Sequence, residues 1–193
     1  MLKKIVAIGP ESTGKSSLCT QLAEHYGTLW CPEYAREYLT LHGMNYTYED
    51  LLTIARGQVE LEEKHIQRAM GNRQSATTDD FHSPLTIDHS PLFIDTDMYV
   101  MKVWCEFVFG KCHQFILDQI AKRRYDLYLL CDIDLPWTHD ELREYPDEGP
   151  RQKLYEMYKN IMQNQLVPWV EINGSYEQRI RKAINAVDSI LKE

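Results

Sequence analysis

Residues 9–16 read Gly9-Pro10-Glu11-Ser12-Thr13-Gly14-Lys15-Ser16, a complete G-x-x-x-x-G-K-[ST] loop. The apolar run Ile5-Val6-Ala7-Ile8 precedes it, and a helical stripe with Leu18, Leu22 and Ala23 follows. The loop therefore stands between a predicted strand and a predicted helix, the context this pattern requires. Its glycines let the backbone wrap a phosphate with N–H groups turned inward, and the helix points its positive end at the same anion. Lys15 adds a mobile charge for β and γ phosphates, and the Ser16 hydroxyl is a ligand for Mg²⁺. The expected ATP-binding residues are Gly9, Pro10, Glu11, Ser12, Thr13, Gly14, Lys15, Ser16 and Ser17. A chain so constrained must build an α/β sheet with this loop at a strand's C-terminal end.

The rest of the chain agrees with that demand. Strands are expected at about 3–8, Thr28–Cys31, Leu92–Asp95, Leu127–Asp132 and Trp169–Ile172. Helices are expected from the loop to Tyr26, from Glu33 to near Gly43, and from Thr47 to a stop at Gly71. Further helices are expected over Met98–Val108, about 112–123, about 151–166, and from the Asn173-Gly174-Ser175 cap to about Leu191. Five short apolar strands alternating with helices predict a five-stranded parallel sheet covered on both faces, the P-loop NTPase class. Residues 72–84 read as a polar surface loop, and 134–151, rich in Pro and charge, as a lid. The chain, 193 residues long, is expected to form a single domain over 1–193.

A net charge of −8 argues against a nucleic-acid partner. No apolar run has the length of a membrane span. The chain enters a strand within about two residues of Met1, leaving no room for a signal peptide, and its odd count of five cysteines contains no C-x-x-C pair. The expectation is a cytoplasmic protein with reduced thiols.

Three further segments fall at strand C-terminal ends, where open α/β sheets bind ligands. After strand 2, Glu33, Tyr34 and Arg36 are candidates to grip a phosphoryl acceptor, with Glu33 accepting a proton or binding ribose hydroxyls. After strand 3, Asp95 ends an apolar run as a Mg²⁺-holding carboxylate must, and Asp97 stands two residues on. Asp132 fits the same strand-then-Asp pattern and is the rival to Asp95. On the lid, Arg143 is the candidate to stabilise the transferring phosphoryl, with Arg151 behind it. Asn173 is placed beside an adenine ring or, equally, at a helix cap. No N-K-x-D motif selects guanine, so ATP is the expected donor.

Taken together, the phosphate loop, Pro32-Glu33-Tyr34-Ala35-Arg36, Phe93-Ile94-Asp95-Thr96-Asp97 and Asp134-Leu135-Pro136-Trp137 with Leu142-Arg143 resemble one family, the bacterial ribosylnicotinamide kinases. That family is best known as the C-terminal part of a multifunctional NAD-salvage regulator and is often filed as an AAA-type ATPase domain. The resemblance spans roughly residues 3–190. It implies ATP-dependent phosphorylation of the 5′-hydroxyl of nicotinamide riboside, with a small-molecule nucleoside as partner. Lys15, Asp95, Arg143 and Glu33 would be catalytic, Ser16 and Asp95 would hold Mg²⁺, and Glu33, Tyr34, Arg36 and Asp97 would bind the acceptor. Glu33 and Asp97 both remain candidates for the base. The regulator's nucleotidyltransferase signature, H-x-G-H, is absent, which implies a stand-alone kinase module. The rival readings are a kinase for another nucleoside or nucleotide, and a nucleotide-gated regulatory module.

Overall fold

The computed structural model describes residues 2–74 and 90–192. Its centre is a sheet of β1 (Lys4–Ile8), β2 (Trp30–Cys31), β3 (Leu92–Asp95), β4 (Leu127–Cys131) and β5 (Trp169–Ile172). The strands are all parallel, in the order β2-β3-β1-β4-β5. Val6 of β1 is level with Ile94 of β3 and Tyr128 of β4. Both faces of these inner strands are covered, so they read as unbroken apolar runs instead of alternating ones.

The pleat sends alternate residues to opposite layers. Ile5, Ala7 and Leu129 meet Leu18 and Leu22 of α1 (Lys15–Tyr26) and Ala183 and Val187 of α7 (Tyr176–Leu191). Val6, Ile8 and Leu130 meet Val100 and Val103 of α4 (Met98–Phe109) and Leu154 and Met162 of α6 (Glu148–Asn164). A third cluster joins α4 to α2 (Tyr34–His42), α3 (Tyr48–Gln74) and α5 (Gln114–Lys122) through Ala35, Leu51, Ile54, Met101 and Ile116. Each such aliphatic side chain, fully buried, contributes roughly 1.5–3 kcal/mol.

Several expected boundaries are corrected. β2 is two residues long, and β4 stops one residue before Asp132. Gly71 does not end α3, which continues to Gln74. One glycine costs a long helix only about 1 kcal/mol, and nothing near Gly71 forces a turn. Residues 72–74 thus belong to α3, and the remainder of the expected 72–84 loop lies outside the described residues. α6 starts at Glu148, with Pro150 in its first turn, where its missing N–H costs nothing. The segment expected to be a lid is therefore irregular and runs over 132–147, between β4 and α6.

The order of strands decides where a ligand goes. From β1 the chain passes over to β2 at one edge, and from β3 it crosses back over β1 to β4. The C-terminal end of β1 is thus a topological switch point, and residues 9–14 occupy it.

Candidate active site

The loop between β1 and α1 is built for close approach. Gly9 has φ 139°, and a Cβ there would lie 2.6 Å from the Cys131 carbonyl oxygen of β4. Only glycine fits. Ser12 and Gly14 are also left-handed, at φ 57° and 78°, which turns successive N–H groups into one concavity. Thr13 Oγ1 and Lys15 Nζ each donate to the Pro10 carbonyl at 2.8 Å, so Lys15 curls over the loop.

Beneath it, Ser16 Oγ donates to Asp95 Oδ2 at 2.5 Å, while Asp95 Oδ1 is buried without a hydrogen-bond partner. A serine hydroxyl and a buried carboxylate with a free oxygen are hard donors that suit Mg²⁺, which keeps water and phosphate oxygens as its other ligands. Among the described residues no cluster of three or more His, Cys, Asp or Glu forms a protein cage for a metal. Asp132, the rival, instead accepts from the Ile133 N–H at 2.7 Å.

Glu33 lines the same cleft. It is the residue before α2, and its side chain makes no cap hydrogen bond to that helix. Burial pushes its pKa up, and the nearby Asp95 charge pushes the same way. Gln58 of α3, 1% exposed, fixes this corner: its Oε1 accepts from Tyr34 N–H at 2.7 Å and its Nε2 donates to the Pro32 carbonyl at 3.3 Å.

The lid is clasped to the phosphate loop by side chains that the motif leaves unspecified. Glu11 accepts from the N–H groups of Glu144 at 3.0 Å and Tyr145 at 2.5 Å. Ser12 Oγ accepts from Thr138 N–H at 3.0 Å and from Arg143 Nη1 at 3.2 Å. Arg36 of α2 pairs with lid Asp140 at 2.6 Å. The cleft so enclosed has a volume of about 400 Å³. It is lined by the phosphate loop, by the polar side chains of Glu33, Arg36, Arg143 and Glu144, and by the aromatic rings of Trp104, Phe107, Tyr145 and Tyr158.

The structure does not bring every expected residue here. Asp97, expected to bind the acceptor, is instead the N-cap of α4. Its Oδ1 accepts from Tyr99 N–H at 2.9 Å and its Oδ2 from Tyr128 Oη at 2.9 Å. Tyr34 does not line the cleft; its ring lies against Gly57 of α3. Asn173 faces Lys182, and the neighbouring cap belongs to Ser175, which forms a capping box with Gln178. Arg151 is 7% exposed and donates to the carbonyls of Ile133 and Leu135, fastening the base of the lid.

The sequence reading also missed Arg179, 4% exposed, which joins Asp134 at 2.5 Å, the Thr13 carbonyl at 2.6 Å and the Asp132 carbonyl at 3.4 Å. Its signal was available: Arg179 occupies the buried stripe of α7 that continues at Ala183, Val187 and Ile190.

A family model described as an AAA domain matches residues 4–179. The chain belongs to that AAA domain family. It also aligns over its whole length with the trifunctional NAD biosynthesis/regulator protein NadR of Salmonella typhimurium, at 24% identity, and of Escherichia coli, at 23%. The alignment takes in 43% of each relative, so this AAA domain chain spans less than half their length. Two crystal structures of NadR superpose on all of the chain and cover 50% of their own: one in complex with NR, at TM-score 0.76 and 23% identity, and one in complex with NAD and AMP-PNP, at 0.71 and 22%. Thymidylate kinase from Ehrlichia chaffeensis reaches 0.65 at 12% identity over 96% of this chain and 98% of its own. These superpositions establish the fold, one shared with NadR and with that thymidylate kinase. Among the described residues no helix is long and apolar enough to cross a membrane.

Proposed function

We propose that residues 1–193 form one ATP-dependent kinase domain that phosphorylates the 5′-hydroxyl of nicotinamide riboside, yielding the mononucleotide. The observation that carries this reading is the lining of one cleft, which the phosphate loop shares with Glu33, Arg143 and the aromatic side chains of Trp104, Phe107, Tyr145 and Tyr158. Its volume of about 400 Å³ suits a small flat molecule with a few polar groups. The resemblance to NadR, one of whose structures is in complex with NR, supports the choice of acceptor.

In this mechanism the loop amides and Lys15 hold the β and γ phosphates of ATP. Ser16 and Asp95 would hold Mg²⁺, which would supply charge neutralisation at the phosphate oxygens. Arg36 and the aromatic wall orient the nucleoside so that its hydroxyl lies in line with the γ-phosphorus. Glu33 accepts the proton from that hydroxyl, and the burial that raises its pKa makes it a stronger base than an exposed carboxylate. Arg143 stabilises the equatorial oxygens during transfer, and the closed lid excludes water.

Incubation with ATP, Mg²⁺ and nicotinamide riboside, read by product mass, tests the reading. It predicts nicotinamide mononucleotide at a rate well above the no-acceptor blank. A blank-level rate contradicts it. The full-length likeness to thymidylate kinase favours a second reading, transfer to another nucleoside or nucleotide, which the same assay detects with other acceptors.

A further inference from the structure

A chain of hydrogen bonds joins the aromatic wall of the cleft to the lid, and the mechanism above does not use it. Trp104 of α4, which lines the cleft, donates through Nε1 to Tyr46 Oη at 2.9 Å. Tyr46 Oη donates onward to Glu144 Oε2, on the lid, at 2.7 Å. The backbone N–H groups of Glu144 and Tyr145 then donate to Glu11 of the phosphate loop. Tyr46 itself does not line the cleft; its ring is held edge-on against Trp104 and Phe109 at 5.0 and 6.3 Å.

We propose that Tyr46 is a positioning residue that couples an acceptor ring seated against Trp104 to closure of the lid over the phosphates. This rests on the kinase reading above. A hydroxyl between two fixed partners transmits position, since its donor and acceptor directions are set together. A flat base packed on Trp104 holds the indole still, which holds Tyr46 and Glu144. Arg143 is the next residue along the chain from Glu144, so fixing Glu144 fixes the arginine that faces the transferring phosphoryl. Without an acceptor the hydrogen bonds remain but no base steadies the indole, so the chain holds Arg143 less firmly for attack by water. The device would direct ATP to transfer instead of hydrolysis. Burial raises the Tyr46 pKa far above the neutral range, so the phenol remains a donor throughout it.

Tyr46→Phe removes the hydroxyl and keeps the ring packing. In the full chain without ligand, amide hydrogen exchange at Glu144 and Tyr145 should speed up roughly two- to tenfold, the loss expected for one hydrogen bond, with β1 and α4 unchanged. With ATP, Mg²⁺ and nicotinamide riboside, kcat for transfer should fall by at least the same factor while acceptor-free ATP hydrolysis keeps the wild-type rate. Product formed per ATP consumed should therefore drop. Unchanged exchange at Glu144 and Tyr145 overturns the proposal, as does an equal fall in both activities. Should the wild type form no mononucleotide, the kinase reading fails on that arm, and the exchange arm still decides whether Tyr46 ties the lid. Glu144→Ala cuts the same link from the lid side if Tyr46→Phe does not fold.

Discussion

Ser16 Oγ donates to Asp95 Oδ2 at 2.5 Å, and that contact supports the proposal of Asp95 over Asp132 as the carboxylate on the metal side. Asp95→Asn should lower kcat by about 10² or more, because it weakens the hold on Mg²⁺ where charge develops. Asp132→Asn, whose side chain serves the neighbouring Ile133 N–H, should cost less than about tenfold. Initial rates of both variants check this, and the reverse ranking contradicts the assignment. Asp97 carries a different consequence. Burial raises its pKa from 3.8 to about 7 against the pull of its Tyr128 and backbone hydrogen bonds. The folded protein thus holds this proton more tightly than the unfolded chain. The stability so gained is present below about pH 4 and is lost as pH rises to about 7. Asp97→Asn should flatten that fall, seen as a smaller difference between urea midpoints at pH 5 and pH 8. Why the sequence misled at this residue is local. Acids two apart on a strand share a face, but β3 ends at Asp95, and Thr96 takes φ 79°, which turns Asp97 into the cap of α4. A left-handed threonine has no sequence mark.

The elements around the cleft hold one another by contacts that hydrophobic period alone did not announce. α3 was expected from Thr47 onward, yet beside its buried Leu51, Ile54 and Ala55 stand Gln58 and Glu62, 1% exposed each. A polar residue at a core position of an amphipathic helix signals a hydrogen-bonding duty inside, and Gln58 performs it at the Pro32–Tyr34 corner that presents Glu33. Beside it, α2 lies close on α3 because Gly57 has no side chain: a Cβ there would come within 2.1 Å of the Tyr34 ring. Gly57→Ala should gain a little helix propensity and lose more to overpacking, a net destabilisation of about 1–3 kcal/mol. Denaturant unfolding measures it. Because Tyr34 follows Glu33, the same variant should also lower kcat for transfer. The lid was legible as a segment from its prolines and charge. Its clasp was not, because Glu11 and Ser12 stand at x positions of the loop motif and their lid partners lie more than 120 residues away.

For the whole molecule, the motif at residues 9–16 and the alternation of elements were enough to fix the class, five parallel strands with helices on both faces. They left strand order open, since apolar runs of similar length carry no label for their neighbours. The order places β3 and β4 on either side of β1, and so brings Asp95 and the lid to one phosphate loop. Arg179 joins these parts from the final helix, binding the loop at Thr13 and the lid base at Asp134. Arg179→Leu leaves a buried carbonyl without its donor and should destabilise by about 1–3 kcal/mol. Urea unfolding should register this as a lower midpoint with an unchanged m-value. The most direct test of the central claim, that this cleft transfers phosphoryl to a nucleoside hydroxyl, is a competition. ATP, Mg²⁺ and an equimolar mixture of nicotinamide riboside with the common nucleosides are incubated together, and the product masses are read at early times. The account predicts nicotinamide mononucleotide as the dominant product. Phosphorylation of no nucleoside in the mixture, with ATP hydrolysed at the acceptor-free rate, would contradict it.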